Sequence, residues 1–359
     1  MTRQIKILLL VFAILASSAT LYAGSPPGVS VVFTLKQKKS LGTGASLSPD
    51  ATKLVYVGSD EALHVVEIPS GKERMRFAQG RPWPDVLYSP SFSPDGKRIV
   101  FSDSPGDTWY YPSDIYSVAS DGTGLLQLTH SERARGPWPK PGEGWGGAFT
   151  EYFGEPQYSP DGSRILVARG PGTTKTDPMD LAITISPDGS GRRTLTNGKP
   201  LGWAASGKAI FVLREEERPE GLVRQVFKYD LASGKTQSVK GLDDILNNLE
   251  NNTPLGKLLA QDTFVVDNWG WLGLVTVSDA ATGPIRTLPL SMSMTLEVDD
   301  LKALYPDRKL EVLSANRRSR LQGVSSDRSD SYLVLDYSGE MLDDYSGGMA
   351  EVIQVVKIK

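Results

Sequence analysis

Hydrophobic positions along this chain come in short alternating runs broken at regular intervals by the same turn residues. The clearest stretch is Ser91–Thr129. It predicts strands at Leu87–Phe92, Arg98–Ser102, Asp114–Val118 and Leu125–Leu128. Arg-Ile-Val-Phe-Ser and Ile-Tyr-Ser-Val alternate with the period of a strand that has at least one packed face. Ser-Pro-Asp-Gly joins the first two strands, and Ser-Asp-Gly-Thr-Gly joins the last two. Proline presets φ, aspartate bonds its own backbone, and glycine takes the positive φ that a tight turn requires. One such unit cannot bury its own faces, so it needs copies.

The copies are present. Leu47-Ser48-Pro49-Asp50 precedes Lys53–Val57, Leu63–Ile68 and Arg74–Phe77; Tyr158-Ser159-Pro160-Asp161 precedes Arg164–Ala168, Leu181–Ser186 and Arg193–Thr196. A weaker copy runs from Gly202 through Ala209–Leu213, Val226–Asp230 and Thr236–Val239. Ser48 and Ser93 lie 45 residues apart and Ser93 and Ser159 lie 66 apart, so the second interval holds an insertion. A repeat of about 40–45 residues with four strands per unit is the pattern of a β-propeller blade.

These turns and strands resemble the TolB-type propeller repeat, a WD-like family of Pro-Asp blades, over Leu47–Thr196. The resemblance implies a propeller, usually six-bladed, of the kind found in periplasmic scaffold proteins and in the propeller halves of some peptidases and lyases. It says little about activity.

Two further blades are read from the pattern. Leu258–Ala260, Thr263–Asp267, Leu272–Ser278 and Pro284–Leu290 make a fifth. The last has only Gly323–Ser325, Tyr332–Tyr337 and Val352–Ile358, and its missing strand is assigned to Val29–Leu35. Pairing first and last segments would close the ring and remove two exposed edges. The expected fold is therefore all-β: a six-bladed propeller of four-stranded antiparallel blades, closed by an N-terminal strand. Gly241–Leu259, with Leu242, Ile245, Leu246 and Leu249 at helical spacing, is read as one short helix.

The first residues change the picture of where the protein works. Arg3 and Lys6, the apolar run Ile7–Ala16 and the small residues after it read as a signal peptide over 1–23, cut after Ala23 or Ala19. That leaves 24–359 as a single propeller domain with insertions at 131–156 and 291–322. With no cysteine there is no lipid-anchoring thiol and no disulfide. The expectation is a bacterial periplasmic or secreted protein, a monomer with no membrane contact after cleavage. Net charge is −3, about −5 without Arg3 and Lys6, and no basic cluster occurs, which argues against nucleic acid as a partner.

Loop length then points to a working face. First-to-second and third-to-fourth connections are all tight. The long segments, among them Gln79–Val86, Ser102–Ser113, His130–Pro156, Glu215–Leu222 and Ser291–Gln322, fall at the other end, with Glu215-Glu216-Glu217 read as a solvated loop tip. Long loops on one rim of a rigid scaffold are where binding is usually carried. That rim holds the candidate binding residues Trp83, Trp109, Tyr110, Tyr111, Trp138, Trp145, Tyr152, Trp269 and Trp271. Such rings suit protein hot spots or stacking on sugars; the alternative is that they staple loops to the blades.

No catalytic set is nominated. His64 reads as a packed strand residue and His130 as a loop residue, and no nucleophile elbow, zincin or phosphate-loop motif occurs. No cofactor and no metal are expected. Carboxylates around the long loops (Asp103, Asp107, Asp114, Glu143, Glu151, Glu155, Asp177, Asp180) are the one route to glycosidase chemistry or Ca²⁺ binding. The expected role is a non-enzymatic envelope scaffold for a protein or peptide; the alternative is a glycan-binding propeller with lyase or hydrolase activity.

Overall fold

The computed structural model describes residues 29–38, 44–78, 85–105, 113–131, 151–171, 180–219, 221–242, 257–258, 262–267, 271–278, 281–289, 320–338 and 350–358. The first strand is β1 (Val29–Lys38). Sheet I follows with β2 (Ala45–Leu47), β3 (Lys53–Val57), β4 (Leu63–Glu67) and β5 (Glu73–Phe77). Sheet II holds β6 (Asp85–Phe92), β7 (Arg98–Pro105), β8 (Asp114–Ala119) and β9 (Leu126–Gln127). Sheet III holds β10 (Glu151–Tyr158), β11 (Ile165–Pro171), β12 (Leu181–Ile185) and β13 (Arg193–Asn197). Sheet IV holds β14 (Lys199–Trp203), β15 (Ala209–Arg218), β16 (Gly221–Asp230) and β17 (Thr236–Ser238). Sheet V holds β18 (Lys257–Leu258), β19 (Thr263–Asp267), β20 (Trp271–Ser278) and β21 (Ala281–Pro289). Sheet VI holds β22 (Arg320–Ser326), β23 (Tyr332–Ser338) and β24 (Ala350–Ile358), and takes β1 as its fourth strand. Every sheet is four-stranded, and every recorded strand pairing is antiparallel between neighbours in that order.

The turns form for the reason their residues suggest. In sheets I, II and III the Ser hydroxyl donates to the Asp carboxylate two positions on: Ser48 to Asp50 at 2.6 Å, Ser93 to Asp95 at 2.6 Å, Ser159 to Asp161 at 2.5 Å. The same Ser oxygen accepts the amide that opens or adjoins the next strand, from Lys53, Arg98 and Arg164 at 2.9–3.0 Å. Gly96 and Gly162 take φ of 69° and 74°, whereas Ala51 holds the equivalent place at 58°, a conformation that costs an L-residue about 1 kcal/mol.

The hydroxyls of Ser93 and Ser159, then the amides of Lys97 and Ser163, hold Asp95 and Asp161 below the usual carboxylate range. At Asp50 burial works the other way and is outweighed by Ser48 and Thr52. Depressed carboxylates contribute stability that is full above the unfolded value of about 3.9 and is lost as pH falls through the lower folded values. Thermal unfolding should therefore be flat down to about pH 4 and fall below it. The double variant Ser93→Ala, Ser159→Ala should be less stable at neutral pH and should lose less on acidification. An acid limb of undiminished depth in that variant would remove the turns as its source.

Strands pack on both faces, and the alternation shows it. Ile99 and Phe101 join Val55, Leu63 and Val65 between sheets I and II, while Val100 between them points into the cluster shared with sheet III. Ile165 and Val167 face sheet II, and Leu166 faces sheet IV. Ile210 and Val212 face sheet III, and Phe211 meets Phe264 of sheet V. Leu54 and Tyr56 face sheet VI, where Val334, Ile353 and Val355 meet them with Phe33 and Leu35 of β1. A strand buried on both sides reads as a near-continuous apolar run, as in Ile165-Leu166-Val167-Ala168.

Three expectations change. Glu215–Leu222 is not a loop: β15 and β16 run on as a hairpin, with Glu215 opposite Arg224 and Glu216 opposite Val223, so Glu215-Glu216-Glu217 is strand. Side-chain pairing extends the ladder where burial does not, through the cross-strand pair of Arg224 with Glu215 at 2.8 Å. The insertion assigned to 131–156 stops short of 151, because Glu151–Pro156 belongs to β10. That assigned to 291–322 likewise stops before Arg320, where β22 begins. The helix read over Gly241–Leu259 lies almost wholly outside the described residues, as does 1–28. No helix among the described residues is long and apolar enough to cross a membrane.

Candidate binding face

The register fixes which connections share an end. First-to-second and third-to-fourth turns, such as Ser93–Lys97 and Pro69–Lys72, lie at one end. The strand ends that bound the segments between β7 and β8, β9 and β10, β11 and β12, β21 and β22, and β23 and β24 lie at the other. Of the nominated aromatics, Trp83, Trp109, Tyr110, Tyr111, Trp138, Trp145 and Trp269 lie outside the described residues. Trp271 opens β20 opposite Pro289, at the long-loop end. Tyr152 is in view.

Tyr152 is the second residue of β10 and stands opposite Gly170. A Cβ at Gly170 would fall 1.9 Å from its ring, so the ring lies flat on backbone that only glycine leaves bare. Its hydroxyl donates to Asp180 Oδ1 at 2.7 Å, and 38% of the residue stays exposed. Burial first, then the charge and hydrogen bond of Asp180, hold this phenol well above its usual value. It is thus both anchored and presented.

Around it the first strands of three sheets are bent in the same way. Register shifts fall between Tyr88 and Ser91 in β6, Gly154 and Gln157 in β10, and Pro200 and Gly202 in β14. Ser89 and Glu155 sit inside the first two shifts at φ of 52° and 50°. A bulge re-aims the side chain it carries. Glu155 here meets Lys199 of sheet IV, Oε1 to Nζ 2.7 Å. Burial would lower Lys199, but Glu155, Asp180 and Glu215 outweigh it and hold the ammonium above its usual value. Burial pushes the Tyr88 phenol up to about 12, against the Ser113 and Ser102 hydroxyls and with the charges of Glu155 and Asp103. Ser113 ties sheet II to sheet III: its hydroxyl donates to Phe153 O at 2.6 Å and its carbonyl accepts from Phe153 N at 2.9 Å.

The long-loop carboxylates therefore divide by role. Asp114 accepts Thr129 Oγ1 at 2.8 Å and Ser131 N at 2.7 Å, and so fastens the chain leaving β9. Asp180 takes Tyr152, and Glu155 takes Lys199. Asp103 is buried in β7 opposite Asp114. Asp107, Glu143 and Asp177 lie outside the described residues, and of Glu151 only the backbone is in view.

His64 is a structural node. Its Nδ1 meets Glu73 Oε1 at 2.5 Å and its Nε2 meets Asp60 Oδ1 at 2.8 Å, with the ring stacked on Tyr56. Burial would raise Asp60, but His64 and Arg76 outweigh it and hold the carboxyl at about 2. His130 is exposed. No group of three His, Cys, Asp or Glu among the described residues is arranged to hold a metal ion.

Sequence reasoning nominated Tyr152, Glu155 and Asp180 but not Tyr88, Ser113, Gly170 or Lys199. An aromatic opposite a strand glycine is a readable signal for the Tyr152–Gly170 pair. Nothing local marks Lys199.

No family model matches the chain, and no curated protein does. Solved structures do. An oligogalacturonate lyase in complex with manganese is 13% identical, with 88% of this chain and 76% of that chain covered and a TM-score of 0.50. An oligogalacturonate lyase from Vibrio parahaemolyticus is 14% identical, with 87% and 76% covered and a TM-score of 0.49. TolB from Acinetobacter baumannii is 14% identical, with 96% and 68% covered and a TM-score of 0.45. At these identities the likeness bears on fold alone, and it is the first of the three that carries it: this is an all-β chain of four-stranded antiparallel sheets with a propeller-like architecture.

Proposed function

We propose that the six sheets are the blades of one closed propeller, exported after loss of residues 1–23. On this reading the mature chain is a periplasmic or secreted monomer that binds a protein or peptide through its long-loop end and catalyses no reaction. The observation that carries the reading is the asymmetry of the two ends. Tight turns hold one end, and the described strand ends that bound the long connections lie at the other, where Tyr152 donates to Asp180 and Lys199 engages Glu155. In sequence, the nominated tryptophans belong to or border the segments that join strand ends at that end.

A glycan is the second reading, favoured by one feature: the half-exposed Tyr152 ring has Asp180 at its edge, as a sugar-stacking platform would.

The test is to probe the purified protein against peptide and oligosaccharide arrays and to map the bound ligand by cross-linking. Cross-links confined to the long-loop end, with no turnover, are the expected result. Contacts centred on the Ser-Pro-Asp turns would refute the face. Release of unsaturated sugar from polygalacturonate would replace the scaffold reading with the enzymatic one.

A further inference from the structure

Sheet VI departs from sheets I, II and III at one turn. Its first-to-second connection is Asp327-Arg328-Ser329-Asp330, where the others use Ser-Pro-Asp. Asp327 does the work of the serine: its N–H donates to Tyr332 O at 3.2 Å, and its Oδ1 accepts the Tyr332 amide at 2.8 Å. The matching bonds at Ser48 are 2.9 Å each, to Lys53 O and from Lys53 N. Arg328 therefore stands where Pro49, Pro94 and Pro160 stand in the other sheets.

Those prolines form a file around the tight-turn end. A Cβ on Gly96 would lie 3.8 Å from Pro49 Cδ, on Gly162 3.6 Å from Pro94 Cδ, and on Gly207 3.6 Å from Pro160 Cδ. Each turn thus rests on the proline of the sheet before it. Arg328 supplies two things a proline lacks. Its backbone N–H donates to Pro49 O of sheet I at 3.4 Å. Its Nη2 donates to Pro160 O at 2.9 Å. Pro160 belongs to sheet III, which sheets IV and V separate from the Arg328 turn in chain order.

We propose that Arg328 is a clasp, tying the turn of the last sheet to the turns of sheets I and III across the tight-turn end. A permanently charged planar donor suits this task, because its bond to a carbonyl is charge-assisted and needs no particular pH. The inference goes beyond the binding role and does not depend on any ligand.

Hydrogen exchange resolved by residue tests it. In Arg328→Pro, which restores the turn residue of the other sheets and removes both bonds, the amides of Gly162 and Ser163 should exchange roughly fivefold faster or more. The turn at Gly96, which accepts neither of these two bonds, should change least. Arg328→Lys keeps the N–H and the charge but loses the planar fork, so only the sheet III turn should loosen. It also serves as the reading should the proline variant fail to fold. Unchanged exchange at Gly162 and Ser163 in either folded variant overturns the clasp.

Discussion

Deleting residues 29–38 is expected to unfold the whole chain rather than fray one edge. β1 is the first strand described, yet it runs antiparallel to the last, from Val29 opposite Ile358 to Lys38 opposite Ala350. Phe33, Leu35 and Val32 pack with Leu47, Leu54 and Val66 of sheet I and with Val334, Ile353 and Val355 of sheet VI. Each such partly buried side chain contributes about 1–2 kcal/mol. Gln37 adds a buried link, donating to Glu351 at 2.6 Å and to Val57 O at 2.9 Å. Together with a lost strand ladder, the loss is comparable with the 5–15 kcal/mol that holds a typical domain folded. Calorimetry of the truncated chain checks this. An unfolding transition unchanged in position and cooperativity would show that β1 closes nothing.

Phe211→Ala should be the most damaging single substitution in the contact between sheets IV and V. Phe211 is 1% exposed and meets Phe264 edge to face, centroids 5.3 Å apart at 90°. Val226, Val239 and Leu242 close around it, so the vacated volume has little room to collapse. Truncating such a ring costs about 3–5 kcal/mol. Denaturant unfolding should show the midpoint fall by that energy divided by the slope, with the slope itself kept, since the loss is one of packing and not of overall compactness. A cost under about 1 kcal/mol would mean that the two sheets do not share a core as described.

Much of this fold is legible before any coordinates. The Ser-Pro-Asp turns announce themselves because three polar atoms close one loop, and that chemistry needs those residue types. The orphan strand at Val29 is legible because an incomplete last blade needs a partner. The weak fourth copy reads poorly for an equally physical reason. Ala204 makes the same main-chain bond to Ala209, at 2.9 Å, that Ser48 makes to Lys53, but it has no hydroxyl to signal it.

Hydrophobic pattern fails where packing is not what extends a strand. Arg214–Arg218 is charged throughout and resembles a loop tip, yet cross-strand ion pairing carries the hairpin past the edge of the core. Glu151–Glu155 is bounded by charges and reads as part of a connection; its strand character comes from buried Phe153 and from Tyr152 lying on Gly170. The cluster on the long-loop end is hidden for another reason. Tyr88, Glu155, Asp180 and Lys199 come from three sheets, and no local spacing brings them together. Glu155 sits inside the bulge of β10, and a register shift leaves almost no mark in composition.

The claim that the long-loop end is a binding surface rests on side chains that do one of two jobs, presenting themselves to a ligand or stapling loops to the sheets. Measuring stability and ligand affinity together on Trp138→Ala and Trp145→Ala separates the two most directly. A binding hot spot predicts a loss of about 2 kcal/mol or more in affinity, with the thermal unfolding of each variant unchanged. Lower stability with unchanged affinity of the remaining folded protein would contradict it.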